Sequence, residues 1–214
     1  ARQATGEWLV FTDADCLPSA HWLEKLQGEA ARRGQGVLMS GPVDMVSSTG
    51  RPGVYEIYDL VKGIPQERYA GRGYAATANL AVSKPVFDRL NGFDGSRFSG
   101  GDADFCRRAA AAGFPLVYVA EARVDHVSRT TWSEIATKAR RVKGGQLAAG
   151  SRGRRWLWLL RTLIPPGRGV WNLLLARRHS LRHRLLACLV LLRVWLVELT
   201  EAARLVAGAP PERQ

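Results

Sequence analysis

The stretch Trp8-Leu9-Val10-Phe11-Thr12-Asp13-Ala14-Asp15 decides how the chain is read. Four apolar, β-branched or aromatic residues in a row form a short, fully buried strand of the kind found in parallel sheets. Two carboxylates stand where that strand ends. In open α/β sheets, ligands bind beyond the carboxyl ends of strands. Aspartates spaced i, i+2 there can share a hard divalent cation, Mg2+ or Mn2+, with the phosphate oxygens of a substrate. The same spacing also occurs in solvated turns, where Asp accepts backbone N–H bonds.

Outward from this stretch the chain alternates strand and helix. Pro18 precedes Trp22, Leu23 and Leu26 at helical spacing, and Arg32-Arg33-Gly34 closes that helix. Val37–Val46 reads as a second strand, residues 47–53 (SSTGRPG) as a loop, and Tyr55–Val61 as a helix. Tyr74–Val82 reads as a strand and Lys84–Leu90 as a short helix, followed by a turn over residues 91–95. Asp102–Ala112 is an Ala-rich helix stopped by Gly113, with short strands at Leu116–Val119 and Ala122–Val127. Thr130–Ala149 is a polar, basic helix. This rhythm predicts an α/β sandwich with a mostly parallel sheet.

Composition bounds the rest. The chain has 214 residues, 46% of them hydrophobic, which excludes disorder and collagen-like repeats. Three cysteines without a C-x-x-C pair exclude a disulfide scaffold and a cysteine zinc cage, and read as reduced, buried thiols. The net charge of +12 is uneven: residues 1–129 hold 15 basic and 15 acidic side chains, residues 130–214 hold 16 and 4. A neutral first part (1–129) is therefore joined to a strongly basic tail (130–214). Residue 1 is Ala, and the apolar strand follows almost at once, so the sequence reads as lacking an N-terminal part.

Two further groups accompany Asp13 and Asp15. Asp102 and Asp104 follow Gly100-Gly101 at a helix start. Glycine there lets backbone approach a ligand closely. Asp is also favoured at helix starts as a cap, and Asp104 can pair with Arg108 one turn on. Asp102, on the glycine-flanked corner, is the better general base. His126, in Val124-Asp125-His126, can complete a metal shell begun by Asp13 and Asp15.

The ordered set ATGEWLVFTDADCLP (4–18), NLAVSKPVFDRLNGFD (79–94), GGDADFCRR (100–108) and VDH (124–126) resembles the second half of a family-2-type glycosyltransferase catalytic domain of the GT-A fold. The resemblance covers about residues 1–145. It implies an α/β, partial nucleotide-diphospho-sugar transferase sandwich, and metal-assisted transfer of a hexose from a nucleotide-diphosphate sugar to an acceptor hydroxyl, with inversion. By that match Asp13 and Asp15 hold Mg2+ or Mn2+ against the diphosphate, and His126 reaches the metal. Asp102 resembles the catalytic base, while Asn79, Gly101, Asp104 and Arg141 fall on the substrate side. Gly101 departs from the family pattern, which often has Glu before the base. A nucleotidyltransferase on a similar scaffold, or a non-catalytic membrane module with a degenerate transferase remnant, are the alternatives.

In the tail, Leu185–Val197 is nearly all apolar but shorter than the about 20 residues a spanning helix needs. Leu185, Leu189, Leu192, Trp195, Leu196 and Leu199 group on one side of a helical wheel, with Arg193, Glu198, Glu201 and Arg204 opposite. C-terminal amphipathic helices with Trp156, Trp158, Trp171 and Trp195 among Arg clusters suit the headgroup layer of a membrane. The expectation is a peripheral protein on the cytoplasmic face of the cell membrane, acting on a lipid-linked or polysaccharide acceptor in cell-envelope synthesis. Packing on protein is the competing reading, and nucleic acid is not expected as a partner. Lys138, Arg140, Arg141 and Lys143 are candidates for the donor diphosphate. Because the resemblance lacks the family's opening nucleotide-binding strands, residues 1–214 alone should bind donor poorly and show no turnover, whereas a protein extended upstream should transfer sugar. Robust transfer by the 214-residue chain would refute this.

Overall fold

The structure is a computed structural model that describes residues 1, 3–148 and 151–211. Ala149, the expected last residue of the basic helix, lies outside them. The chain divides into two units, one of residues 1–46, 63–94 and 101–127, the other of residues 47–62, 95–100 and 128–214. The second unit thus draws on two segments from the neutral first part of the sequence.

In the first unit, β1 (Trp8–Phe11), β5 (Leu80–Ser83), β3 (Leu38–Ser40) and β6 (Leu116–Tyr118) form one sheet in that order. A second sheet joins β2 (Cys16–Pro18), β7 (Val124–Val127) and β4 (Val43–Val46). Side chains alternate across the larger sheet. Val10, Met39 and Ala81 share a core with Trp22 and Leu26 of α1 (Trp22–Arg33). Leu9, Leu38, Leu80 and Val82 share the opposite core with Phe87 of α4 (Lys84–Arg89) and with Phe105 and Ala109 of α5 (Gly101–Ala111). This period of two builds an α/β/α sandwich, the class expected. A short α3 (Gln66–Ala70) precedes a 3-10 turn at Thr77–Asn79.

The sheets are mixed, not mostly parallel. Parallel pairing occurs between β3 and β6 and between β4 and β7; β1–β5, β3–β5 and β2–β7 are antiparallel. Apolar alternation reports which face of a strand is buried and carries no information on the direction of its neighbour. Nor is β1 fully buried: it ends its sheet, and only Leu9 of its four residues is buried. The run 37–46 breaks into β3 and β4 at Gly41-Pro42, where the chain leaves one sheet for the other. The passage from β6 to β7 makes the same move through residues 119–123.

Asn79 joins these two crossings. Its side chain is wholly buried. Its amide nitrogen donates to the carbonyls of Pro42 at 2.9 Å and Ala122 at 2.8 Å, and its oxygen accepts from Trp22 Nε1 at 3.0 Å. A Cβ on Gly41 would stand 2.0 Å from the Ala122 oxygen and 2.8 Å from the Asn79 nitrogen, so only glycine fits.

The second unit is helical: α2 (Val54–Lys62), α6 (Trp132–Ala148), α7 (Arg152–Leu163), α8 (Gly167–Leu174) and α9 (Leu181–Val206). Ile57, Tyr58 and Val61 of α2 pack with Ile135 of α6, Leu173 of α8 and Val190 and Val194 of α9. Polar groups fix this bundle. Burial pushes the Glu56 carboxyl up, but donors from Gly53, Ser47 and Ser48 outweigh it and hold it below the usual range. Arg193 lies 3.8 Å from the Trp132 ring centre and donates to the Tyr55 hydroxyl at 2.8 Å. The arginine that interrupts the apolar run of α9 therefore anchors that helix to α2 and α6.

Asn79→Ala would orphan the Trp22 N–H and the Ala122 carbonyl, at about 1–3 kcal/mol each, and leave the Pro42 carbonyl with the Val124 N–H alone. We expect a loss of about 3 kcal/mol or more in urea unfolding, and a comparable loss for Gly41→Ala. A change below about 1 kcal/mol would show that the clamp carries no weight.

Candidate active site

The acidic stretch after β1 is held in a tight turn. The Cys16 N–H donates to the Asp13 carbonyl at 3.1 Å, and the Val127 N–H donates to the Asp15 carbonyl at 3.3 Å. Antiparallel pairing of β2 with β7 sets Cys16 opposite His126. The result brings one ligand atom each from Asp13, Asp15, Cys16 and His126 within 4.8 Å of one another. His126 Nε2 lies 3.8 Å from Asp13 Oδ2 and 3.6 Å from Asp15 Oδ1. His126 is buried, and its Nδ1 is 2.8 Å from the Val127 carbonyl oxygen. That carbonyl can only accept, so Nδ1–H donates to it, and this bond directs Nε2 towards the two carboxylates.

The three residues expected at a metal thus converge from distant parts of the sequence (Asp13 and Asp15 in the turn after β1, His126 in β7). Two exposed carboxylates and one imidazole form a donor set suited to Mg2+ or Mn2+. Cys16 was not expected among them. Burial pushes its thiol up, and the charges of Asp13 and Asp15 add to this. The signal available in the sequence was its adjacency to Asp15.

Asp102 is the second residue of α5 and is half-buried. Its Oδ1 accepts from the Ala103 N–H at 2.7 Å. Burial raises its carboxyl above the ordinary range; backbone donors from Ala103 and Thr77 oppose this, and the charge of Asp13 adds to it. A carboxyl poised upward in this way is a better proton acceptor near neutral pH than a free aspartate. The influence of Asp13 also ties Asp102 electrostatically to the metal-type cluster.

Gly101 opens α5, and a Cβ there would meet nothing within 4 Å. No internal packing demands glycine, and the space beside Asp102 stays open. Asp104 takes a different part from the substrate contact expected. Its carboxylate accepts from Arg108 Nε at 3.0 Å, and Arg108 also donates to the carbonyls of Leu90 and Gly92. It thereby braces the turn before α5, because an i, i+4 partner lies closer than any ligand. Asn79 is likewise committed inside the protein, as described above, with no side-chain donor left to face a substrate.

Arg141 belongs to the second unit, exposed on α6. Lys138 is on the same helix, its ammonium pushed down to about 8 by burial and then by the charges of Arg129 and Lys62. Lys143, read as a diphosphate contact, is instead buried and ion-paired with Glu198 at 2.9 Å, with Thr162 Oγ1 at 3.0 Å. A cation this enclosed needs an internal counter-charge, which Glu198 provides.

A model of glycosyl transferase family group 2 matches residues 8–207. The glycosyltransferase AglE of Haloferax volcanii is 33% identical over 147 residues, 68% of this chain and 47% of that protein. A pre-mycofactocin glycosyltransferase of Mycobacterium tuberculosis is 28% identical over 141 residues, 63% of this chain and 30% of that protein. The chain therefore spans about half the length, or less, of these curated relatives. Among solved structures, the Pyrobaculum calidifontis mannosyltransferase PcManGT, in complex with GDP-Man and Mn2+, aligns over 96% of this chain and 62% of its own, at 18% identity and a TM-score of 0.46.

A catalytic carboxylate raised by burial should cost stability while ionised. The folded state favours its protonated form, so the cost is fully present at neutral pH and fades as pH falls through the raised value. Asp102→Asn keeps the acceptor for the Ala103 N–H and removes that charge. We expect an unchanged or higher Tm at pH 7, the gain over wild type shrinking towards pH 4. A lower Tm would make Asp102 a helix cap instead.

Proposed function

The chain belongs to glycosyl transferase family group 2, and from that premise we propose that it carries the metal and acceptor side of an inverting, metal-assisted glycosyltransferase using a nucleotide-diphosphate sugar. The observation that supports this most is the convergence of Asp13, Asp15 and His126, with Asp102 close enough to feel the charge of Asp13. Family membership leaves no support for the nucleotidyltransferase alternative.

In this reading Asp13, Asp15 and His126 hold Mg2+ or Mn2+. A divalent cation there supplies neutralising charge for the diphosphate as it leaves. The acceptor hydroxyl oxygen attacks the anomeric carbon from the face opposite the diphosphate. Its proton passes to the Asp102 carboxylate, the bond from anomeric carbon to phosphate oxygen breaks, and configuration inverts. The open space at Gly101 admits the acceptor beside the base. Asp104 acts through Arg108 and Asn79 through the sheet crossings, both as positioning residues. The acceptor we assign is lipid-linked or polysaccharide, handled at the cytoplasmic face of the cell membrane.

Mn2+ titration of the chain by calorimetry or EPR tests the cluster. Asp13→Asn and Asp15→Asn should each weaken Mn2+ at least about tenfold, as should His126→Ala. In a protein extended upstream, sugar transfer should fall about 100-fold or more in Asp102→Asn, with Mn2+ binding of the chain intact. Unaltered Mn2+ affinity in both Asp variants, or retained transfer in Asp102→Asn, would overturn the assigned roles.

A further inference from the structure

Large apolar side chains are exposed unevenly. Among the described residues, thirteen between Trp156 and Val206 are exposed, against Leu17 and Leu23 in the whole first unit. Where such side chains adjoin on one face they mark an interaction site. Its most regular part lies on α9. Leu181, Leu185, Leu189, Leu192 and Leu196 are 41–64% exposed. At about 100° per residue they fall within an arc of about 80° and run for about 22 Å. The opposite face of α9 buries Ala187, Val190 and Val194 in the bundle. The helix is apolar on both sides, and only one of them is covered by the unit.

Charge says what covers the other. No Asp or Glu occurs between Ile135 and Val197, while ten arginines lie between Arg152 and Arg193. Many of them crowd helix N-termini. The first turns of α7, α8 and α9 hold no acid. Arg152, Arg154 and Arg155 open α7, Arg168 opens α8, and Arg182 and Arg184 open α9. The N-terminal end of a helix is positive, so arginine there is unfavourable by itself. Elsewhere in this chain α1, α2 and α6 obey the rule with Glu24, Glu56 and Glu134. An array of phosphates facing the tail removes the conflict, since both arginine and helix N-terminus attract anions. Exposed Arg177, Arg178 and Arg182 stand at the start of the leucine stripe.

We propose that the outward leucine stripe of α9, with the arginines at its N-terminal end, docks on an anionic phospholipid leaflet. The helix lies along the interface, its leucines in the acyl boundary and its arginines at the phosphates. Among the described residues no helix is long and apolar enough to cross a membrane, which suits a helix lying on one. A second copy of the chain is a poorer occupant, because it would bring another acid-free arginine surface against this one. The proposal deepens the membrane placement given under the proposed function, and rests on it.

Flotation of the 214-residue chain with phosphatidylglycerol–phosphatidylcholine vesicles, against pure phosphatidylcholine, tests both. We expect binding to the anionic vesicles that weakens with salt. The combined variant L185S/L189S/L192S/L196S should bind at least about tenfold more weakly. R177Q/R178Q/R182Q should lose about fivefold per arginine removed. The altered side chains are exposed, so thermal melts should match wild type; Leu189→Asp alone serves if the combined variant fails to fold. Wild-type binding that survives both the leucine variants and the arginine variant overturns the stripe and leaves the membrane placement standing. Failure of wild type to float with anionic vesicles overturns both. A wild-type dimer in light scattering that the leucine variant dissolves, without vesicle binding, assigns the stripe to a second copy and also overturns the proposal.

Discussion

The first unit depends on one buried amide. Two strand pairs, β3 with β6 and β4 with β7, belong to different sheets, and the chain passes between the sheets at residues 41–42 and 119–123. At the first crossing the Pro42 carbonyl accepts from the Val124 N–H at 3.1 Å. The Asn79 side chain adds a bond to a carbonyl at each crossing and accepts from the Trp22 indole of α1. Gly41 is the steric counterpart: any side chain would enter the space where these groups meet. An asparagine with one acceptor and two donors is matched to three partners, so the group costs little although it is fully buried.

The candidate site inherits its geometry from that junction. The smaller sheet carries His126 on β7 and, through the pairing of β2 with β7, fixes the turn that bears Asp13 and Asp15. Backbone bonds hold both ends of the turn, leaving the carboxylates exposed while the imidazole beneath them is buried and fixed by the Val127 carbonyl. Asp102 is set by the start of α5, whose Phe105 is anchored in the aromatic group of Phe11, Phe87 and Phe93. Rings at centroid distances near 5 Å in edge and tilted contacts fix this helix more firmly than an aliphatic core would. A carboxylate on a rigid helix start and a metal-type cluster on a pinned turn are both held in place by the fold before any ligand arrives.

The second unit resolves its charge by a different route. Glu56 and Lys143 are drawn inward, against serine and backbone donors and against Glu198 and Thr162, while the exposed Arg193 lies on Trp132 and bonds Tyr55. On α9 itself, Glu198 pairs with Lys143 and Arg193 with Tyr55 and Trp132, while Leu185, Leu189, Leu192 and Leu196 stay exposed. Apolar contact area alone does not settle which side of such a helix faces the bundle, since both sides are apolar. The few polar groups do, because a buried charge without a partner costs more than an exposed leucine.

The sequence by itself determined the α/β class, the buried faces of the strands, most helix positions and the identity of the acidic residues. These depend on local periodicity and on residue chemistry, both of which can be read along the chain. The separation of a neutral first part from a basic tail was legible in the same way. Tertiary structure alone decided the mixed direction of the strands, the edge position of β1, the inward commitment of Asn79 and Lys143, and the arrival of Cys16 beside His126. Each is a pairing between residues distant in sequence, or a choice among several partners within reach. Such choices are fixed by which contact closes the packing with no polar group left unpaired, and a single sequence carries no record of that until the chain is folded.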